Sequence, residues 1–233
     1  MKRKYYLAFI LALGLAVAAS GQQDAPAPAK PADSGPTLAA TMQFIQEKLS
    51  QQGQVSWAQS RSNQPGVTNR SFTQVSDVMA DPATCTLYTT ETVEGTVDLP
   101  KGKDARIGGK IVTANDLRTH KVETDTTSFK QIEKITVEKL QDVQNQAYAE
   151  AAHPEITVTV TPPIFYLKLS ASSAVFSVHT SSTQGNQPSV EKDITSKTNG
   201  ITFRDEDTAN RVAKAMTHAM ELCGGGVTKK DIF

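Results

Sequence analysis

A short apolar strand that leads into an amphipathic helix, over residues 201–223, most constrains how this chain can fold. Three acids, Asp205, Glu206 and Asp207, stand between the two and favour the positive end of a helix dipole. One apolar face then repeats at helical spacing: Ala209, Val212, Ala213, Met216, Ala219, Met220 and Cys223. A helix with such a face must pack against other elements, so this stretch predicts how the domain closes.

The acids at the start of this helix have two interpretations. Asp205 or Asp207 is the predicted N-cap, because a carboxylate at that position accepts hydrogen bonds from N–H groups that lack a partner inside the helix. A metal site is the alternative, but capping explains the acids without further ligands. Met216 and Met220 are predicted to pack in the core, since methionine fills irregular gaps, and glycines 224–226 are expected to end the helix.

The N-terminal residues are typical of an export signal. Basic residues at positions 2–4 precede an apolar run that ends in small residues. We expect residues 1–20 to be a signal peptide that is cleaved near Ala19 or Ser20, which would place the protein in the periplasm or outside the cell. An uncleaved N-terminal anchor is the alternative.

The rest of the chain divides into three predicted parts. Residues 21–36 are rich in Ala and Pro and predict a disordered linker. Residues 37–226 are long enough for a single globular domain, and residues 227–233 form a C-terminal tail. The chain has 24 basic and 24 acidic residues, and the signal carries three of the basic ones, so a slightly acidic chain remains. This balance argues against a nucleic-acid binder and against recognition of a specific membrane lipid.

Cys85 and Cys223 are a candidate disulfide pair. They are the two cysteines of the chain, and an even number in an exported protein favours a disulfide. Such a bond would connect the end of the closing helix to a strand-like segment at residues 84–88. The alternative is two separately buried thiols.

The body of the domain is predicted to be mainly strands. Residues 37–50 predict a helix, because Leu38, Met42, Ile45 and Leu49 form one stripe. The alternating patterns that follow predict strands at residues 55–58, 70–79, 85–97, 107–122, 128–137, 156–161, 164–169 and 174–180. Residues 101–110 predict a hairpin turn, and residues 181–197 predict a polar loop. Residues 138–152 predict either a helix or a strand.

No catalytic or cofactor motif is present in the sequence. It lacks GxSxG, HExxH, CxxC and the dinucleotide-binding glycine pattern. The four histidines, at positions 120, 153, 179 and 218, are far apart and do not have the paired spacing of metal ligands. Trp57 is expected to pack rather than to form a ligand platform. We therefore predict no catalytic, cofactor-binding or metal-binding residues, and we favour a protein that is not an enzyme.

The order of many antiparallel strands followed by one amphipathic helix resembles a pleckstrin-homology-like domain. Two segments carry the resemblance, residues 129–143 and residues 201–223. The chain also resembles uncharacterised exported bacterial proteins with a helix–strands–helix plan. The expected fold is α+β and mainly antiparallel, a single strongly bent sheet or partly open barrel capped by the C-terminal helix, with an additional N-terminal helix. A phosphoinositide site is not implied, because the basic residues of the first hairpin on which it depends cannot be placed here.

Three functions remain open from the sequence. The favoured one is a non-enzymatic exported binding or accessory module of the bacterial cell envelope, which takes a protein or a small apolar ligand at a sheet edge or barrel mouth. The second is a structural or self-associating envelope protein. The third is an enzyme whose site is made of dispersed residues, and ionisable side chains that converge in a cleft would favour it. The oligomeric state is open.

Overall fold

The computed structural model describes residues 35–100, 105–107, 110–113 and 117–226. The predicted signal peptide, most of the linker and the predicted tail lie outside the described residues. Three α-helices lie within them: α1 Leu38–Gln51, α2 Leu140–Glu150 and α3 Glu206–Leu222. No helix of this described part is long and apolar enough to cross a membrane.

Twelve strands lie within the described residues. They are β1 Gln54–Arg61, β2 Thr68–Asp81, β3 Thr86–Asp98, β4 Ala105–Ile107, β5 Lys110–Val112, β6 Thr119–Ser128, β7 Lys134–Lys139, β8 Val158–Thr161, β9 Phe165–Ser170, β10 Phe176–Gln184, β11 Val190–Ser196 and β12 Thr198–Phe203. Every pairing among them is antiparallel.

The strands are divided between two main sheets and a small hairpin. The larger sheet has seven strands in the order β11-β10-β6-β3-β2-β1-β8, and the smaller has three in the order β12-β9-β7. Strands β4 and β5 pair with each other, and part of the turn predicted at residues 101–110 lies outside the described residues. The predicted α+β class, with antiparallel strands, no closed barrel and a helix near each end of the domain, is confirmed, although the strands occupy more than one sheet.

Helices α1 and α3 pack on each other and complete the main core. Asp205 is the N-cap of α3, since its carboxylate accepts a hydrogen bond from the Thr208 N–H at 2.7 Å. The apolar face predicted for α3 packs against α1, β7 and β9, and its fully or nearly buried residues are Ala209, Val212, Met216, Ala219 and Met220. Burial of a side chain as large as Met216 contributes about 1.5–3 kcal/mol to stability.

The two cysteines lie together at the end of α3. The sulfur atoms of Cys85 and Cys223 are 2.12 Å apart, which is disulfide distance. Cys85 was predicted inside a strand, and that position is wrong. It precedes β3, in the turn after β2, and has a φ of +60°, a value that strands do not adopt. The contact joins the end of α3 to this turn.

Three other sequence predictions differ from the structure. The polar loop predicted at residues 181–197 is wrong, because this segment forms the end of β10 and all of β11. Strand β11 is an edge strand exposed on both faces, so no apolar alternation marks it. The strand predicted at residues 128–137 is interrupted by a 3₁₀ turn, Phe129–Gln131. The strand predicted at residues 107–122 is divided between β4, β5 and β6, and the undecided segment at residues 138–152 contains α2.

Candidate functional site

A cleft of about 320 Å³ lies between the two sheets. The larger sheet contributes side chains from β2, β3, β6, β10 and β11, and the smaller sheet contributes side chains from β9 and β12. The lining residues are Thr73, Glu91, Val93, Glu123, Asp125, Tyr166, Val178, Ile194, Ser196, Thr198, Asn199, Gly200 and Thr202. Ionisable side chains from three different strands converge in this cleft.

The pairing of β3 with β6 brings three carboxyl groups into this cleft. Glu91 lies directly opposite Glu123 in the antiparallel register, and Asp125 is two residues further along β6. Side chains two residues apart on a strand point to the same face, so the three carboxyl groups share one face of the sheet. Only 9% of Glu91 and 7% of Asp125 is exposed to solvent. The strands therefore hold acidic groups in a place where solvation is poor.

Contacts between the sheets form the floor of the cleft. The hydroxyl oxygens of Thr73 and Thr202 are 2.7 Å apart in a buried hydrogen bond, and Gln52 donates a hydrogen bond to the Thr202 carbonyl. Gly200 leaves the space in which Tyr166 lies. A methyl group at this glycine would be 2.5 Å from the Tyr166 hydroxyl oxygen and 2.7 Å from the Leu167 carbonyl oxygen. The arrangement at Gly200 therefore depends on the absence of a side chain.

The surroundings of the cleft favour the neutral forms of its acids. Burial raises the pKa of Glu91 to about 7, and the charges of Glu123 and Asp125 add to the effect. Burial and the charge of Glu123 also raise the pKa of Asp125 to about 6, although Lys121 acts in the opposite direction. Burial, followed by the neighbouring carboxylates, raises the pKa of Tyr166 to about 12. The carboxyl groups of Glu91 and Asp125 are therefore expected to gain or lose a proton near neutral pH.

Among the described residues, Lys121 is the cation that pairs with one of these carboxyl groups. The Lys121 ammonium nitrogen is 2.5 Å from Glu123 Oε1. Asp125 receives a hydrogen bond from Asn199, but its Oδ1 atom is buried and has no hydrogen-bond partner in the part of the chain that the structure describes. Glu91 accepts a hydrogen bond from Thr73. When ionised, Glu91 and Asp125 therefore carry negative charge that no paired cation among the described residues compensates, and Asp125 retains an unused acceptor there.

The residues singled out in the sequence lie elsewhere. His179 is on the outer face of β10 with its Nδ1 2.7 Å from Asp193 Oδ1, and this hydrogen bond raises the pKa of the imidazole. Trp57 is half-buried and packs against a second, smaller apolar cluster. The other histidines make separate contacts at the surface: His120, His153 and His218. No three His, Cys, Asp or Glu residues of the described ranges are placed to hold a metal ion.

The cleft residues were not identified from the sequence, although a signal is present. In β6 the charged residues Lys121, Glu123 and Asp125 alternate with other residues, so they share one strand face. An alternating charged pattern is ordinarily a solvated face. Only the arrangement of the two sheets shows that this face is covered by β9 and β12.

Comparisons of the chain with protein-family models, curated protein sequences and solved structures found no match. The site is therefore defined by its own residues and geometry. They describe an α+β domain in which two antiparallel sheets enclose an acidic cleft.

Proposed function

We propose that this protein is an exported binding module of the bacterial cell envelope and that the acidic cleft is its ligand site. The observation that carries the proposal is the convergence of Glu91, Glu123 and Asp125 on one half-open cleft, with Asp125 Oδ1 unpaired among the described residues. Burial of a carboxyl group without compensation destabilises a fold. A cleft that served stability alone would be lined with apolar side chains, so the acids favour a role in binding or in catalysis over a purely structural one.

The size of the cleft supports a small ligand. Its volume of about 320 Å³ is near the lower end of the range of about 300–1,000 Å³ that is typical of small-molecule sites. The lining is mostly polar and also has apolar side chains, Val93, Val178 and Ile194. The polar side chains would fix the orientation of a ligand, and the apolar side chains would contact the carbon atoms of the ligand.

Export is the second part of the proposal. The basic and apolar pattern of residues 1–20 supports it. The sulfur atoms of Cys85 and Cys223 lie at disulfide distance, which is compatible with an oxidising compartment. The antiparallel sheets and the C-terminal helix are compatible with the pleckstrin-homology-like plan, whose members bind lipids, peptides or proteins, and we extend only the general role of binding to this chain.

Catalysis is a second candidate function. A carboxyl group with a pKa near 7 can both donate and accept a proton at neutral pH, and burial raises the pKa of Glu91 to about that value. The cleft is also built from residues that are dispersed in the sequence, as in the third function left open above. Catalysis predicts that a compound bound in the cleft is converted into a product, whereas a binding module releases it unchanged.

Nuclear magnetic resonance can test the binding function directly. The ¹⁵N-labelled protein would be titrated with mixtures of small cationic, neutral and anionic compounds. We expect the amide signals of Val178, Gly200 and Thr202 to shift with at least one mixture, and the shifts to be lost in the Glu91→Gln/Asp125→Asn double variant. Shifts confined to other surfaces, or none with any mixture, would contradict the proposal. A product signal in the same samples would favour catalysis.

A further inference from the structure

Building on the proposed binding function, we propose that the ligand is a small organic cation, with an ammonium or guanidinium group that contacts Asp125 and Glu91. The apolar part of the ligand would lie against Tyr166, Val178 and Ile194, which line the same cleft. The proposal rests on three features of the site: its charge, its unpaired acceptor and its apolar wall.

The charge of the cleft is the first feature. Among the described residues, its three carboxyl groups have one paired cation, Lys121, whose ammonium nitrogen is 2.5 Å from Glu123. This contact shows that the site already holds one alkylammonium group against an acid. The carboxyl groups of Glu91 and Asp125 have no such partner among the described residues. A second cation would compensate them, because hydrogen bonds between an ammonium group and a carboxylate are among the strongest in proteins.

The unpaired acceptor is the second feature. Asp125 is 7% exposed, lines the cleft, and has a buried Oδ1 atom without a hydrogen-bond partner in the described chain. Buried carboxylate oxygens are nearly always hydrogen-bonded in folded proteins, so the Asp125 carboxyl group keeps an acceptor that a donor in the cleft reaches when the carboxyl group rotates toward it. An ammonium group has three N–H donors and no acceptor, and a guanidinium group has several N–H donors and no acceptor, which matches a site rich in acceptors.

The apolar wall is the third feature. Val93, Val178 and Ile194 line the cleft beside the acids, and 36% of Ile194 is exposed to solvent. The ring of Tyr166 lies in the same cleft and is held there beside Gly200. An aromatic face attracts a nearby cation through its quadrupole. The wall therefore favours a cation that carries a short carbon chain over a fully hydrated inorganic ion.

Other classes of ligand fit the site less well. An anion would be repelled by the three carboxyl groups, and a neutral alcohol would leave their charge uncompensated. Ca²⁺ and Mg²⁺ take six or more oxygen ligands, Zn²⁺ takes about four ligands, and no group of three His, Cys, Asp or Glu residues in the described part is placed to hold a metal ion. An organic cation needs only the contacts that this cleft offers.

Binding of a cation should release protons. The titratable groups on the strand faces that meet at the cleft come from five strands: Glu91 from β3, Lys121, Glu123 and Asp125 from β6, Glu138 from β7, Tyr166 and Lys168 from β9, and Lys192 from β11. A bound ammonium group stabilises the ionised forms of the carboxyl groups, which lowers their pKa values. The affinity for a cation should therefore rise between about pH 5 and about pH 8, as the competing protons are lost.

Isothermal titration calorimetry with n-butylammonium chloride tests the proposal. Butyrate and 1-butanol serve as probes of the same length with negative and zero charge. At pH 7 we expect binding of n-butylammonium alone, with a heat that differs between phosphate and MOPS buffers, neither of which is a net cation, because protons are released. The Asp125→Asn variant should weaken binding about tenfold or more, since it removes half of a buried charge pair. Glu133→Gln, which changes an exposed carboxylate, should leave binding unchanged.

Several results would overturn the proposal. They are equal binding of butyrate or 1-butanol, an unaltered affinity in Asp125→Asn, or an affinity of the unaltered protein that does not change with pH. The pH series needs no variant, so it decides the matter even if Asp125→Asn fails to fold by circular dichroism. If neutral compounds shift the amide signals of the cleft and n-butylammonium does not, the proposal of a cationic ligand is wrong and the proposed binding function stands. If no compound of any charge binds, both proposals fail.

Discussion

Replacement of Glu91 by glutamine should stabilise the protein at pH 8. The pKa of this carboxyl group is about 7 in the folded protein and 4.5 when unperturbed, so the folded state binds the proton more tightly than the unfolded state. The stabilisation that this tighter proton binding gives to the fold is complete below about pH 4.5 and is lost as the pH rises through about 7. At about 1.4 kcal/mol for each pH unit between these values, the ionised Glu91 destabilises the fold by about 3 kcal/mol.

Urea denaturation at pH 5 and pH 8 measures this effect. The free energy of unfolding of the unaltered protein should fall by a few kcal/mol between the two values, with Asp125 contributing in the same direction. Glutamine cannot ionise and has nearly the shape of a protonated glutamate, so Glu91→Gln should lose less stability over this interval. Glu133→Gln, on the exposed surface, should behave like the unaltered protein. Stability that rises with pH, or a Glu91→Gln variant less stable than the unaltered protein at pH 8, would refute the reasoning.

Three further predictions concern the frame of the cleft. A reductant should lower the free energy of unfolding by up to about 4–5 kcal/mol, because the two cysteines are 138 residues apart and would close a long loop; an unchanged unfolding curve and mass would contradict this. Gly200→Ala should lower stability by about 1–3 kcal/mol and perturb the Tyr166 ring signals, because the methyl group overlaps the ring. Met216→Ala should lower it by about 2–5 kcal/mol, whereas Leu222→Ala, 48% exposed on the same helix, should change it by less than about 0.5 kcal/mol.

Helix α3 could be predicted from the sequence because several local signals agree there. An acid at the N-cap, an apolar stripe at helical spacing and glycines after the last turn all indicate the same element. The burial of Val212 and Met216 follows from that stripe. The pairing of α3 with α1 could not be predicted, since either stripe could equally have packed against a sheet.

Strand β11 and the cleft could not be predicted, for different physical reasons. Strand β11 pairs only with β10 in its sheet, and both of its faces are exposed, so its composition resembles that of a loop. The cleft depends on which face of β6 is covered by β9 and β12. Alternation in a strand shows that Glu123 and Asp125 share a face, but it does not show whether solvent or another sheet lies opposite.

A carbon-detected titration of the Glu91 side chain tests the central claim most directly. The ¹³C signal of its carboxyl group reports the protonation of this residue alone. Because Glu91 is buried beside two other acids, the midpoint should lie near pH 7, and saturating n-butylammonium should move it to a lower pH. A midpoint near the ordinary value of 4.5, the same with and without the cation, would show that the cleft neither retains these protons nor binds the cation.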